Sequence, residues 1–184
     1  MSEPAPTLVQ AARRHDEDAW NELFRRYQLP LFSYAHGFTR DRAAAFDIVQ
    51  DTFAGALAHI GGLRDDSRFG SWLFGIAHQG CIRHFRKNRR RSELFEDGPM
   101  ADDLAGDPGP DPCRALVTAE QSEALLALVA TLPLPQRSAL LMHVLGDLSL
   151  EEIAEAAGAP LGTIKSRLHQ AKQALRRLIA ESPP

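Results

Sequence analysis

The chain has 184 residues, enough to bury one core or two small ones, and 44% hydrophobic against 24% charged residues is a globular balance rather than a disordered or fibrous one. No run approaches the roughly 18 apolar residues that span a bilayer, the first residues, MSEPAPTLVQ, lack the charged-then-apolar order of a signal peptide, and Cys81 and Cys113 are too few and too far apart for a disulfide framework. The expected setting is therefore the cytoplasm, with no membrane insertion, and the formal net charge of -3 means that any grip on nucleic acid must come from local partition of charge or from a partner.

Residues 1–6 read as a tail and 7–92 as a first domain that holds most of the aromatic residues. It shows no alternating strand pattern. Helical spacing appears in Ala19, Leu23 and Tyr27, in Phe46, Val49, Phe53 and Leu57, and in Trp72, Ile76, Ile82 and Phe85. Interruptions are expected at Pro30, at Thr39 to Asp41 and at Gly61 to Asp66, leaving an all-helical unit of about four helices. Within it, FDIVQDTFAGAL places Asp47, Gln50 and Asp51 within one turn, a compact acidic and amide patch; by spacing alone such a patch is more often a solvated helix face than a partner site.

The segment GGLRDDSR leads into FGSWLFGIAHQGCIRHFRKNRRR, where aromatic residues precede Arg83, Arg86, Lys87, Arg89, Arg90 and Arg91. Rings beside cations suit single-stranded or distorted nucleic acid, since base stacking contributes about 1 to 3 kcal/mol per ring while arginines hold the backbone. A buried aromatic core with a basic helix end would give the same letters. Trp72 and Phe74, two residues apart, cannot share a helix face, so one of them is expected to look away from the core. His78, Cys81 and His84 recur every third residue, but such steps precess by about 60° each on a helix, which sets the outer two roughly 120° apart and leaves no closed metal site.

From Glu93 to Pro112 the chain carries seven carboxylates, no cation, and Pro99, Pro108, Pro110 and Pro112. A flexible acidic linker is expected over 93–114. About 20 residues reach at most about 65 Å fully stretched, nearly two turns of duplex DNA at about 34 Å each. Its charge would also shield neighbouring basic surfaces, so that deleting it should strengthen DNA binding at low salt.

The second domain, 115–184, is helical again. Leu125, Leu128, Val129 and Leu132 form one stripe, and a proline-bounded helix carries Leu140, Leu141, Val144 and Leu145. The stretch 149–178 then reads as a helix-turn-helix. Ser149 and Glu152 have capping-box spacing, Gly158 and Pro160 end the first helix, and the second buries Ile164, Leu168, Ala171, Leu175 and Leu178. Its other faces hold Thr163, Lys165, Ser166, Arg167, His169, Gln170, Lys172, Arg176 and Arg177 without a carboxylate, which suits a major groove. An ordinary amphipathic helix with a solvated basic face explains the charge alone, though not the capped helix and turn before it.

With both halves in view, the chain resembles a bacterial group IV, or extracytoplasmic-function (ECF), RNA polymerase sigma factor of the sigma-70 family. AWNELFRRYQLPLF, FDIVQDTFAGAL and FGSWLFGIAHQGCIRHFRKNRRR look like that family's second conserved region, and LPLPQRSALLMHVLGDLSLEEIAEAAGAPLGTIKSRLHQAKQAL like its fourth. The resemblance implies an all-α protein of two helical domains, a region 2 bundle and a region 4 helix-turn-helix. It implies partners in core polymerase, promoter DNA and an anti-sigma factor, with no cofactor, metal or catalytic residue of its own. Asp47, Gln50 and Asp51 match positions that dock on the clamp coiled coil of the polymerase's largest subunit. Leu63, Arg64, Asp65, Asp66, Ser67 and Arg68 match the loop that captures an unstacked base of the downstream element. Trp72, Phe74, His78, Arg83, Arg86, Lys87, Arg89 and Arg90 would hold melted DNA and the adjoining duplex. Thr163, Lys165, Ser166, Arg167, His169, Gln170 and Lys172 would face the upstream element. Gln170 stands where many relatives carry arginine, favouring an adenine-type contact, and Gln79 and Gly80 stand where an Arg-Asn pair is frequent, with glycine costing the helix up to about 1 kcal/mol. The alternative on sequence is a stand-alone helix-turn-helix regulator whose first domain senses or dimerises.

Overall fold

The computed structural model describes residues 6–94 and 126–181. Among them every regular element is helical: α1 (Pro6–Arg13), α2 (Glu17–Thr39), α3 (Arg42–His59), α4 (Phe69–Leu94), α5 (Leu134–Leu145), α6 (Leu150–Ala157) and α7 (Leu161–Glu181). Two 3-10 turns, Ile60–Gly62 and Asp66–Arg68, join α3 to α4, and a helical stretch over 126–130 leads toward α5. The expected linker falls largely outside the described residues, although α4 already carries Glu93 and Leu94.

Local chemistry sets most of the boundaries. Asp16 caps α2 by accepting from the Ala19 amide at 2.9 Å, and Asp41 caps α3 by accepting from Ala44 at the same distance. Between those helices Arg40 takes a left-handed conformation, φ 58°, and donates its N–H to His36, so the break at Thr39 to Asp41 falls where expected. Both halves of the Ser149–Glu152 capping box are made, and Gly158 ends α6 at φ 60°, where glycine carries no Cβ penalty.

Pro30 does not interrupt the chain: α2 runs straight through it. A proline inside a helix costs about 3 kcal/mol through the lost ladder bond and ring clash. Against that, Leu23, Tyr27, Leu31 and Tyr34 line one side of α2 with no exposure at all, and each large buried side chain contributes about 1.5–3 kcal/mol. The stripe therefore holds the helix together across the proline. α3 departs from the simplest reading in another way: it turns Ala45, Ile48, Val49, Thr52 and Ala56 inward, while Phe46 and Leu57 stay nearly half exposed.

The core is continuous from end to end. Tyr27, Leu31 and Tyr34 of α2, Ile48 of α3, and Phe69, Leu73, Phe74 and Ala77 of α4 belong to one buried cluster with Leu140, Leu141 and Met142 of α5, Ile153 of α6, and Ile164 and Leu168 of α7. Gly80 has a packing reason within it. A Cβ there would meet Ile48 Cγ2 at 3.2 Å, so the glycine lets α3 and α4 approach closely, and α4 continues unbroken through the site of its weak propensity.

Candidate nucleic-acid interface

The turn between α3 and α4 is shaped from outside itself. Arg13 of α1 donates from Nε and Nη2 to Asp66 Oδ1 at 3.1 and 2.7 Å and also donates to the Leu63 carbonyl oxygen. Leu63 turns its side chain inward and is buried. Asp65 stays outside, where its carboxylate accepts from the Ser67 amide at 2.9 Å and hydroxyl at 2.6 Å; those two bonds hold its pKa below the ordinary carboxylate value. Arg64, Ser67 and Arg68 are exposed. Leu63 and Asp66 thus act as supports, and Arg64, Asp65, Ser67 and Arg68 form the presented edge. Sequence reasoning missed Arg13, because nothing local marks a partner 53 residues away.

Next to this edge lies a groove of about 540 Å³, with Leu63, Arg64, Asp65, Trp72, Ile76 and Gln79 among its lining residues. Trp72 is half-buried, in ring contact with Phe69 at 5.9 Å, whereas Phe74 is fully buried. Of the two, Trp72 is the ring beside the opening. Further along α4, Arg83, Arg86, Lys87 and Arg89 are exposed, while the side chain of Arg90 lies outside the described residues.

His78 is not on that surface. It is 7% exposed, and its Nδ1 lies 2.8 Å from the Tyr34 hydroxyl and 3.2 Å from Ser138 Oγ, which are themselves 3.2 Å apart. Burial, with the Arg167 guanidinium adding to it, lowers the imidazole pKa to about 4, so the ring is neutral at pH 7. Burial likewise pushes Cys81 up to about 12. His84 is engaged elsewhere, with Nε2 2.9 Å from Asn88 Nδ2, and no group of metal-ligating side chains converges among the described residues.

Asp47, Gln50 and Asp51 are all exposed on one face of α3. Beside them Phe46 meets Phe32 with ring centroids 4.6 Å apart, and the Arg42 guanidinium lies 5.6 Å from each ring, giving the patch an aromatic border. On α7, Lys165, Ser166, His169, Gln170 and Lys172 are exposed while Thr163 and Arg167 are half-buried. Gln136 of α5 donates to the Gln170 carboxamide oxygen at 3.0 Å.

These surfaces fall within two matched families: residues 23–91 match Sigma-70 region 2, and residues 122–175 match Sigma-70, region 4. The chain belongs to the ECF branch of the sigma-70 family. Similar proteins include the RNA polymerase sigma-H factor of Pseudomonas aeruginosa, 29% identical over 94% of this chain and 92% of that one. The ECF RNA polymerase sigma factor SigW of Bacillus subtilis is 25% identical over 94% and 95% of the two chains. The fold is that of CnrH, solved with the cytosolic domain of CnrY, with a TM-score of 0.70 at 21% identity over 96% and 98% of the two chains. It is also that of RpoE, solved with the anti-sigma factor NepR from Bartonella quintana, with a TM-score of 0.70 at 24% identity over 88% and 99%. The protein is therefore an RNA polymerase sigma factor, acting with core polymerase in promoter-specific initiation, and the stand-alone regulator is not favoured. Among the described residues no helix is long and apolar enough to cross a membrane.

Proposed function

We propose that this sigma factor divides its work among three surfaces. The α3 patch of Asp47, Gln50 and Asp51 docks on core polymerase. The turn before α4, with Arg64, Asp65, Ser67, Arg68 and Trp72, takes an unstacked base of the downstream element, and the exposed cations Arg83, Arg86, Lys87 and Arg89, with Arg90 beside them in sequence, hold the melted strand and adjoining duplex. The exposed face of α7 reads the upstream element, where each good base contact discriminates by about 1–3 kcal/mol. Gln170, with its carboxamide oxygen already accepting from Gln136, presents its amide donors to that element.

The observation that carries the reading is the groove at the start of α4. It sets Trp72 beside the presented turn, and exposed cations follow further along the same helix, the combination that stacks a base and holds its backbone. The net charge of -3 fits a factor that does not grip DNA tightly alone, since core polymerase supplies the effective concentration for the second contact. An anti-sigma factor is the expected regulator, in line with the solved complex of RpoE with NepR.

The test is open-complex formation on genomic promoter fragments by core polymerase with and without the purified protein. Opening that requires the protein supports the reading. Tight DNA binding by the protein alone, with no opening in the presence of core, would return the stand-alone regulator.

A further inference from the structure

The α7 face holds one residue that is tied to another helix. Gln136, in the first turn of α5, donates from Nε2 to Gln170 Oε1 at 3.0 Å across 34 residues of chain. Gln170 is exposed and Gln136 half-buried. The packing beneath them fixes their placement: Leu140 and Leu141 of α5 share one buried cluster with Ile164, Leu168 and Ala171 of α7, and Gln136 lies one turn before Leu140 on α5. Along α7, Thr163, Ser166, Arg167 and Gln170 follow one another by steps of three and four, so Gln170 closes the face that begins at Thr163. The bond decides which end of the Gln170 carboxamide looks outward. An adenine contact needs both ends of one carboxamide, the oxygen for the N6 amine and the amine for N7. With the oxygen turned toward Gln136, the end left to face DNA is the amine.

We infer that Gln136 is a specificity-determining residue of this factor: it holds Gln170 as a donor and so selects guanine over adenine at one position of the upstream element. The inference rests on the assignment of α7 to that element. Its chemistry lies in the base edges. Guanine shows acceptors at both N7 and O6, whereas adenine puts the N6 amine where guanine has O6. An outward amine therefore meets two acceptors on guanine, and one acceptor beside a donor on adenine. Cytosine offers it only a donor, and thymine a single acceptor beside a methyl group. Gln136 is a positioning residue, acting on the bases through Gln170. Because α5 and α7 are packed together by buried leucines, the carboxamide is oriented before DNA arrives, and the contact is made without first fixing a free side chain.

The test is a selection. A genomic promoter fragment opened by the wild-type holoenzyme is randomised over its upstream element, bound by core polymerase with each full-length variant, and the bound DNA is sequenced. Base preference is a ratio within one holoenzyme, so a general loss of affinity or stability leaves it unmoved. Gln170→Ala marks the position that Gln170 reads, as the one where preference collapses. There the wild type should favour guanine over adenine by about tenfold, within the range of one base contact. Gln136→Leu removes the donor at similar size and lets the carboxamide turn, so the guanine-to-adenine ratio should fall about three- to tenfold at that position alone, the worth of one neutral hydrogen bond. Gln136→Lys still donates to Oε1 and should keep the guanine preference. Gln136→Glu only accepts; it should draw the amine inward, turn the oxygen outward and move the preference to adenine or cytosine, the bases with an exocyclic amine. An adenine preference in the wild type, or no change from Gln136→Leu at the position marked by Gln170→Ala, overturns the inference and leaves α7 as the reader. Loss of the guanine preference in Gln136→Lys, or its retention in Gln136→Glu, also overturns it. So does a Gln170→Ala profile identical to wild type while Arg167→Ala changes a base. If neither of those α7 variants changes any selected base, α7 does not read the element and both conclusions fall.

Discussion

Arg13 of α1 and Asp66 of the turn before α4 are joined by two charge-assisted hydrogen bonds, at 3.1 and 2.7 Å, across 53 residues of chain. The same guanidinium holds the Leu63 carbonyl oxygen, so one side chain sets the course of the whole turn. Both partners are largely buried, with side chains 27% and 18% exposed, which makes their loss more costly than that of a surface pair. Arg13→Ala should destabilise the first region by about 2 kcal/mol and reduce promoter melting while leaving core affinity unchanged. Urea denaturation and permanganate reactivity of promoter thymines measure the two effects. Because both residues act through one contact, Asp66→Ala in the Arg13→Ala background should add little; full additivity would show that they act separately.

Asp51 lies on the exposed face of α3 with Asp47 and Gln50. Asp51→Arg reverses its charge without touching the core, and should weaken binding to core polymerase on the order of tenfold, about 1.4 kcal/mol, with the circular dichroism and melting temperature of the free protein unchanged. Unaltered core affinity would remove the docking assignment from this patch.

His78 provides a pH dependence whose sign follows from its environment. Its folded pKa is about 4 against an ordinary 6.5, so between those values the unfolded chain binds the extra proton and stability falls as pH falls. From pH 7 to pH 5 the loss from this one group should be about 2 kcal/mol. Carboxylates titrate in part of the same window, so the diagnostic quantity is the difference between wild type and His78→Gln in urea denaturation at the two pH values. Parallel curves would mean that burial does not hold the imidazole neutral.

The Ser149 hydroxyl oxygen accepts from the Glu152 amide at 3.2 Å while the Glu152 carboxylate accepts from the Ser149 amide at 2.8 Å. Ser149→Ala should cost about 1 kcal/mol and lower the denaturation midpoint without changing the denaturant dependence. A change smaller than a few tenths of a kcal/mol would mean that packing, rather than the capping box, holds α6 in place.

The elements read correctly from the chain are those whose signals are local. The Ser149–Glu152 pair, Gly158 and the Ile164–Leu168–Ala171 stripe of α7 each depend on residues within a turn or two of one another, and each appears as expected. Pro30 was legible as a breaker only because its local cost is visible, whereas the burial that overrides it depends on helices elsewhere in the fold. The same limit applies at the candidate site. The Asp47, Gln50 and Asp51 patch is one helix face and could be read from spacing, but the Arg13 clamp on the turn reaches across 53 residues of chain. His78 is the clearest case: its spacing from Cys81 and His84 invited a question about metal, while its actual neighbours, Tyr34 and Ser138, stand 44 and 60 residues away. The packing of α6 against α4 had no sequence signal at all, because small residues such as Gly75 and Ala156 mark a close crossing only once the partner helix is known.

The division of labour between the groove and α7 is tested most directly by permanganate footprinting of one promoter with core polymerase and wild-type, Trp72→Ala or Arg167→Ala factor. Trp72→Ala should leave the complex on the promoter but abolish most thymine reactivity, since the ring beside the groove is lost. Arg167→Ala should lower promoter occupancy at limiting factor, with thymine reactivity per bound complex unchanged. If both variants lower occupancy and reactivity per complex in the same proportion, the two surfaces do not act separately and the account is contradicted.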